Sequence, residues 1–101
     1  MPHESPLETL TVDQFRERLH DRFRIVPDDA SAFDAELVEV TKFSREPGGR
    51  VPFSLVFLGP LEPVLPQRTY RFEHDELGSF ELFIVPIGPD EAGMQYQAVF
   101  G

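Results

Sequence analysis

The spacing of apolar residues changes once along the chain, near residue 21. Before that point Val12, Phe15 and Leu19 recur at i, i+3 and i+7, which is the spacing of one face of a helix. Thr11 and Gln14 stand at the N-cap and third positions of a capping box. The pattern predicts one helix of about 8–10 residues, which is too short to be stable without packing against the rest of the chain.

Beyond residue 21 apolar and polar residues alternate, which is typical of strands with one buried face. Turn residues divide this part of the chain into six segments. We predict strands at 22–25, 33–40, 51–58, 69–74, 80–85 and 94–100. The alternation slips by one residue at Leu37 and Val38, which predicts a β-bulge. Residues 86–93 are predicted to form a loop.

The segment at 51–58 is apolar on both faces, which predicts a central strand. Short strands separated by turns, with ten Phe available to fill an interior, favour a closed arrangement. The predicted fold is therefore mainly β: a small antiparallel six-stranded barrel or roll with one short N-terminal helix.

The length of the chain, 101 residues, leaves room for one domain. Residues 1–9 are polar, contain Pro2 and Pro6 and show no period, so they are predicted to be a flexible tail. Residues 10–101 are predicted to be a single β-rich domain. The chain has no Cys, which excludes a disulfide scaffold, a thiolate zinc site and a Cys nucleophile.

The net charge of the chain limits the kinds of molecule that it is expected to bind. The chain has 18 acidic and nine basic residues, a net charge of −9, which opposes binding to phosphate backbones and to anionic membrane surfaces. The first residues lack the basic and apolar regions of a signal peptide. The longest apolar stretch is far below the roughly 20 residues of a membrane helix. We expect a cytoplasmic protein with no nucleic-acid or membrane partner.

His74 most resembles a catalytic group, because it lies among carboxylates in Glu73-His74-Asp75-Glu76. A carboxylate beside an imidazole can tune a general base or complete a metal site. Successive side chains at a strand end point in opposite directions, however, so these four converge only if a special turn brings them together. We favour a structural role in which His74 closes the strand end by hydrogen bonding near the turn. Partner contact and catalysis are the alternatives.

Other candidate chemistry is weaker. Ser54 lacks the G-x-S-x-G elbow of a serine nucleophile. Asp28, Asp29 and Asp34 lack the alternating oxygen ligands and closing Glu of a calcium loop. Prolines at 60, 63 and 66 predict a stiff connector in preference to a polyproline docking ligand. We therefore assign no catalytic, cofactor-binding or metal-binding residue and expect no cofactor.

The last predicted strand, Met94 to Phe100, alternates apolar residues with uncharged glutamines. An uncharged edge strand pairs readily with another strand. This strand is therefore either central in the fold or an edge offered to a copy of the chain or to another protein. We name His74, Met94, Tyr96 and Phe100 as candidate partner contacts.

Several motifs together resemble a family of uncharacterised bacterial proteins: FSLVFLGP at 53–60, LPQRTY at 65–70, FEH at 72–74, LFIVPIG at 82–88 and YQAVF at 96–100. LTVDQF at 10–15 is similar to the family's N-terminal pattern, so the resemblance spans about residues 10–100. The family is a domain of unknown function, which implies no activity and no catalytic residue. Its association with phage-tail-like proteins implies an accessory or structural role in such an assembly.

Three functions remain open from the sequence. The first is a non-enzymatic structural or protein-interaction module that uses β-edge and aromatic contacts with a protein partner or in a homo-oligomer. The second is a small-molecule-binding β-barrel, although six short strands enclose little more than their own side chains. The third is an enzyme centred on His74 with Asp75 or Glu76.

Overall fold

A computed structural model of the chain describes residues 11–28, 31–42, 52–62 and 64–100. This part contains one helix and six strands. They are α1 (Val12–Arg16), β1 (Arg22–Val26), β2 (Phe33–Lys42), β3 (Phe53–Gly59), β4 (Arg68–His74), β5 (Gly78–Pro89) and β6 (Met94–Phe100). The predicted tail at residues 1–9 lies outside the described residues.

The six strands form a closed barrel in the order β1-β2-β3-β6-β5-β4. All neighbouring strands in it are antiparallel. The predicted fold class is confirmed, and the barrel rather than the roll is observed. The C-terminal strand β6 pairs with β3 along its whole length and with β5 from Met94 to Gln97, so it is central over that part.

The helix α1 begins as predicted and ends early. Its capping box is present: the Thr11 hydroxyl accepts from the Gln14 backbone N–H at 3.3 Å, and Gln14 Oε1 accepts from the Thr11 N–H at 2.8 Å. The helix has five residues, fewer than predicted, and the chain turns through residues 17–20. Leu19, predicted to share a buried stripe with Phe15, is exposed because the turn takes it off the helix face.

The strands β2 and β3 follow the sequence prediction closely. The register of β2 against β3 shifts between Leu37 and Glu39, which confirms the predicted bulge. After the shift, Val40 packs against the core. The strand β3 is buried along nearly its whole length, as predicted for a central strand.

The strand β5 is longer than predicted. It continues to Pro89, so the predicted loop at 86–93 is wrong over its first four residues. The register against β6 shifts between Pro86 and Gly88. A bulge interrupts the hydrogen-bond ladder, so a proline without an N–H is tolerated there and does not end the strand.

Alternate side chains of the six strands fill the barrel interior. Rings dominate it: the centroid of Phe57 lies 5.3 Å from that of Phe23 and 4.9 Å from that of Phe72. The buried core residues on strands are Phe23, Ile25, Ala35, Leu37, Phe53, Leu55, Phe57, Tyr70, Phe72, Phe80, Leu82, Ile84, Met94, Tyr96 and Ala98. Burying one such ring contributes about 2–3 kcal/mol, so this interior is the main source of stability.

Phe15 of α1 closes one end of the barrel. The side chain is fully buried. Its ring centroid lies 5.8–6.4 Å from those of Phe23, Phe53, Phe80 and Phe100. The helix therefore contributes to the barrel core although it has only five residues.

Leu65, in the connector between β3 and β4, closes the opposite end. This residue is buried, and its backbone N–H donates to the Tyr96 hydroxyl oxygen at 2.9 Å. The Tyr70 hydroxyl donates to the Pro66 carbonyl at 2.8 Å. Two tyrosines of the barrel thus anchor the connector. Pro63 of the predicted stiff segment lies outside the described residues.

Candidate functional site

The outer surface of the barrel has two opposite sides. In the closed strand order, β1 and β6 are separated by two strands in either direction, so they lie across the barrel from each other. Outward positions on β1 and β4 are mainly charged, whereas those on β3 and β6 are uncharged. The two sides of the barrel therefore differ in the charge that they expose to solvent.

The β1 side carries a groove of about 680 Å³. Its lining contains five carboxylates, two arginines and one histidine. The lining residues are Asp21, Arg22, Arg24, Asp34, Glu73, His74, Asp75, Glu76, Gly78 and Ser79. Arg24 lies opposite Asp34 on β2 and opposite Glu73 on β4. Opposite charges in directly opposed positions stabilise a sheet. These two cross-strand pairs therefore stabilise the pairing of β1 with β2 and with β4.

His74 lies at the end of β4, where only 5% of its side chain is exposed. Its Nδ1 is 3.0 Å from the backbone nitrogen of Glu76 and 3.1 Å from that of Leu77. Because two N–H groups point at Nδ1, that nitrogen accepts, and Nε2 carries the ring proton. Nε2 donates to Asp21 Oδ2 at 2.9 Å. The ring packs on Phe23 with a centroid distance of 4.6 Å.

These hydrogen bonds stabilise the turn after β4. They do not leave a ring nitrogen of His74 available to act as a general base. In a catalytic His–Asp pair, the ring nitrogen away from the carboxylate takes the substrate proton. In His74 that nitrogen is Nδ1, and two backbone N–H groups already occupy it. The two hydrogen bonds to the turn are those expected if His74 closes the end of the strand, which is the structural role that the sequence favoured. The carboxylate partner, Asp21, lies 53 residues away in sequence and is brought close by the pairing of β1 with β4.

The structural role of the His74–Asp21 pair predicts coupled losses of stability. His74→Phe keeps a ring against Phe23 but removes all three hydrogen bonds, and we expect it to lower the free energy of unfolding by about 2–3 kcal/mol. Asp21→Ala should cost about 1 kcal/mol. The double variant should cost about 1 kcal/mol less than the sum, because both changes remove the same hydrogen bond. Urea denaturation measures all three values.

Asp75→Ala is the matched control for this cycle, since Asp75 is exposed in the same turn. Its replacement should change the free energy of unfolding by less than about 0.5 kcal/mol. Strict additivity of the His74 and Asp21 substitutions would contradict the pairing.

The β6 side has nine outward positions without a charge, which we call the uncharged face. They are Ser54, Val56 and Leu58 on β3, Gln95, Gln97 and Val99 on β6, and Phe83, Val85 and Ile87 on β5. Phe83 is 52% exposed and Val99 is 62% exposed, and Ile87 is exposed as well. Ser54 and Val56 are nearly buried, at 3% and 4% exposed, so seven of the nine side chains reach solvent.

The exposed apolar residues of the uncharged face lie on two strands, β5 and β6. Phe83 lies opposite Thr69 on β4, and Val99 lies opposite Ser54 on β3. The β5–β6 ladder runs from the Val85–Gln97 pair to the Pro89–Met94 pair. The side chains most exposed on this face are Phe83, Ile87 and Val99.

The four candidate partner contacts lie mostly inside the barrel. Tyr96 is fully buried, and Met94 and His74 are nearly so. Phe100 is partly buried and packs against the core. The alternation of β6 places these apolar side chains inward. A partner that touches β6 in the folded barrel therefore meets its outward residues. These are Gln95, Gln97 and Val99.

The remaining sequence candidates are not brought together. Ser54 faces outward from β3 and is buried between its strand neighbours. Asp28 is exposed, Asp34 lies opposite Arg24 on β1, and Asp29 is outside the described residues. Within the described ranges, no group of three or more His, Asp or Glu side chains is arranged to hold a metal ion.

The fold and its surface define a small antiparallel β-barrel whose own chain closes both ends, with a charged groove on one side and an uncharged face on the other. The chain belongs to the family described as a domain of unknown function, DUF6916, whose model matches residues 10–100. The resemblance noted from the motifs is thus confirmed as membership of an uncharacterised domain family. No curated protein and no solved structure matches the chain. Within the described part, no helix has the length and apolar character that crossing a membrane requires.

Proposed function

We propose that the protein is a non-enzymatic interaction module that binds another protein surface through the uncharged face. The observation that carries this proposal is the distribution of charge around the closed barrel. Charged side chains are concentrated on the β1 side, and the opposite side exposes Phe83, Val99 and Ile87 without a charge among its nine outward positions. Depletion of charge around exposed aromatic and aliphatic groups is characteristic of the centre of a protein interface.

The closed barrel changes how such a module binds. The sequence suggested contact through a strand edge, but β6 already has a strand on each side. Binding therefore uses outward side chains on the surface of the sheet and does not add a strand.

The chemistry of the interior and of the groove supports a binding role over the two alternatives. Rings fill the interior at centroid distances of 4.9–5.3 Å, which favours a core over a ligand chamber. In the groove, both ring nitrogens of His74 have partners within the chain, which counts against its use as a base. An accessory role in a phage-tail-like assembly is the form of the proposal that the family resemblance suggests, and it rests on that resemblance alone.

Site-specific photo-cross-linking in the native host cell tests the proposal. A photoreactive phenylalanine analogue is placed at position 83 on the uncharged face, at position 61 on the exposed connector, and at position 24 in the groove. Leu61 is the matched control, because it is 54% exposed and apolar but lies off the face. We expect discrete protein adducts at position 83, at a yield well above that at position 61, because exposed apolar residues within an uncharged surface favour protein contact.

Equal yields at positions 83 and 61 would count decisively against the uncharged face as a binding surface. Adducts concentrated at position 24 would indicate that the groove, and not the uncharged face, is the binding surface. The mass of the adduct identifies the partner, and a tail-fibre or baseplate protein there would support the phage-tail-like form of the proposal.

A further inference from the structure

We propose that protonation of His74 opens the turn between β4 and β5, so that the groove side of the barrel carries an acid-sensitive switch. The hydrogen bonds of the His74 ring to this turn carry the inference. The switch concerns the groove alone and does not depend on the role proposed for the uncharged face.

The closed turn requires a neutral His74 ring. Nδ1 accepts from the backbone N–H groups of Glu76 at 3.0 Å and Leu77 at 3.1 Å, and Nε2 donates to Asp21 Oδ2 at 2.9 Å. Because Nε2 already carries the one proton of the neutral ring, a second proton has to bind at Nδ1. An N–H at Nδ1 would point at two other N–H groups. Protonation of the ring and the closed turn therefore exclude each other.

The charged groups around His74 do not repel a positive ring. The Asp21 carboxylate contacts Nε2, and an imidazolium keeps that hydrogen bond while it releases the turn. Phe23 on β1 and Gly78 on β5 bring no charge to the ring. Carboxylates outnumber arginines among the other charged groups that line the groove, which are Arg22, Arg24, Asp34, Glu73, Asp75 and Glu76. The two hydrogen bonds from the turn, and not the surrounding charges, therefore favour the neutral ring.

Opening the turn would change the groove. Arg18, in the turn after α1, contacts both carboxylate oxygens of Glu76: Nη1 lies 3.0 Å from Oε1, and Nη2 donates to Oε2 at 3.0 Å. Leu77 of the same turn packs against the core. Release of the turn would therefore separate Glu76 from Arg18, loosen the contact of Leu77 with the core, and alter the shape and the charge of the groove.

Amide hydrogen exchange and imidazole nitrogen NMR of the wild-type chain test the switch. The range from about pH 7.5 to about pH 5 spans the ordinary titration of histidine and stays above that of Asp and Glu. We expect Nδ1 of His74 to gain a proton while the amide protection factors of Glu76 and Leu77 fall by about tenfold or more, because coupling to one proton changes an equilibrium by up to about tenfold per pH unit. The open turn binds a proton that the closed turn does not, so acid favours opening. Amides of β3 should keep their protection.

His74→Asn separates the switch from the other titrating groups. An asparagine oxygen accepts from the backbone N–H two residues further on, so it replaces Nδ1 as the acceptor but cannot gain a proton. The variant keeps every carboxylate of the groove, and the protection of Glu76 and Leu77 should no longer depend on pH. His20→Asn is the matched control. His20 is 68% exposed and pairs with Glu36, away from this turn, so its replacement should leave the wild-type response unchanged.

Protonation of His74 Nδ1 without a loss of protection at Glu76 and Leu77 would overturn the switch. A pH response that persists in His74→Asn would overturn it as well, and would assign the opening to a carboxylate of the groove. If His74→Asn does not fold, the wild-type titration still decides, because the loss of protection has to coincide with protonation of His74 and not with that of His20.

Discussion

Replacing Phe15 by alanine is expected to lower the free energy of unfolding by about 3–5 kcal/mol, the largest loss among the substitutions considered. The side chain is fully buried, and its ring contacts four other phenylalanines at the end of the barrel. Removing it leaves a cavity that the surrounding rings cannot fill without leaving their own contacts. A domain of this size is stable by roughly 5–15 kcal/mol, so the variant would lose about a fifth of its stability or more.

Urea denaturation followed by far-UV circular dichroism measures this loss. Phe15→Leu should cost about 1–1.5 kcal/mol, because it retains most of the apolar volume. Leu19→Ala is the control in the same segment: Leu19 is exposed beyond the helix, and its truncation should cost less than about 0.5 kcal/mol. A loss below about 1 kcal/mol for Phe15→Ala would show that the helix is an appendage and not a part of the core.

Local patterns were sufficient to predict the elements of this fold. The alternation with period two is a property of each strand alone, and it located all six. The capping box of Thr11 and Gln14 is likewise local, and it fixed the start of α1. The bulge in β2 was visible as a change of phase at Leu37.

Two element boundaries were wrong because tertiary contacts decide them. Three apolar residues at helical spacing predicted a helix that includes Leu19, but the chain leaves the helix early so that β1 can enter the barrel. Pro86 was read as the end of a strand. The pairing of β5 with β6 supplies a bulge at that point, and the strand continues to Pro89.

The chemistry of the surface was harder to predict, because it depends on which strands become neighbours. The sequence placed His74 among carboxylates, yet its hydrogen-bond partner is Asp21, which reaches it through the β1–β4 pairing that closes the barrel. The uncharged face has the same origin. Outward residues of β3, β5 and β6 form one surface because those strands are adjacent in the barrel order, which differs from their order along the chain. Period-two alternation shows that Val99 points away from Tyr96 but does not show that outward residues of β3 and β5 lie on the same side of the barrel.

Replacing Gly93 by alanine is expected to be the second most damaging change, with a loss of about 3 kcal/mol in the free energy of unfolding. Gly93 precedes β6 in the turn after β5, where its N–H donates to Asp90 Oδ1 at 3.0 Å and its carbonyl accepts from the Asp90 N–H at 2.8 Å. A Cβ at this position would overlap the backbone carbonyl oxygen of Gly59, at the end of β3. Backbone cannot rotate aside as a side chain can, so the turn must move away from β3 and disturb the pairing of Gly59 with Met94.

Gly78 provides the matched comparison, because the space around it is open. It is the first residue of β5, directly after the turn from β4, with φ of +86°, and a Cβ there would meet nothing within 4 Å. Gly78→Ala should cost only the strain of a left-handed alanine, about 1 kcal/mol, and Gly78→Asn should cost less because asparagine tolerates that conformation. Thermal and urea denaturation of the three variants should therefore rank Gly93→Ala as the most damaging, followed by Gly78→Ala and then Gly78→Asn. If Gly93→Ala proved as mild as Gly78→Ala, the close approach of this turn to β3, and with it the tight closure of β6 onto β3, would be refuted.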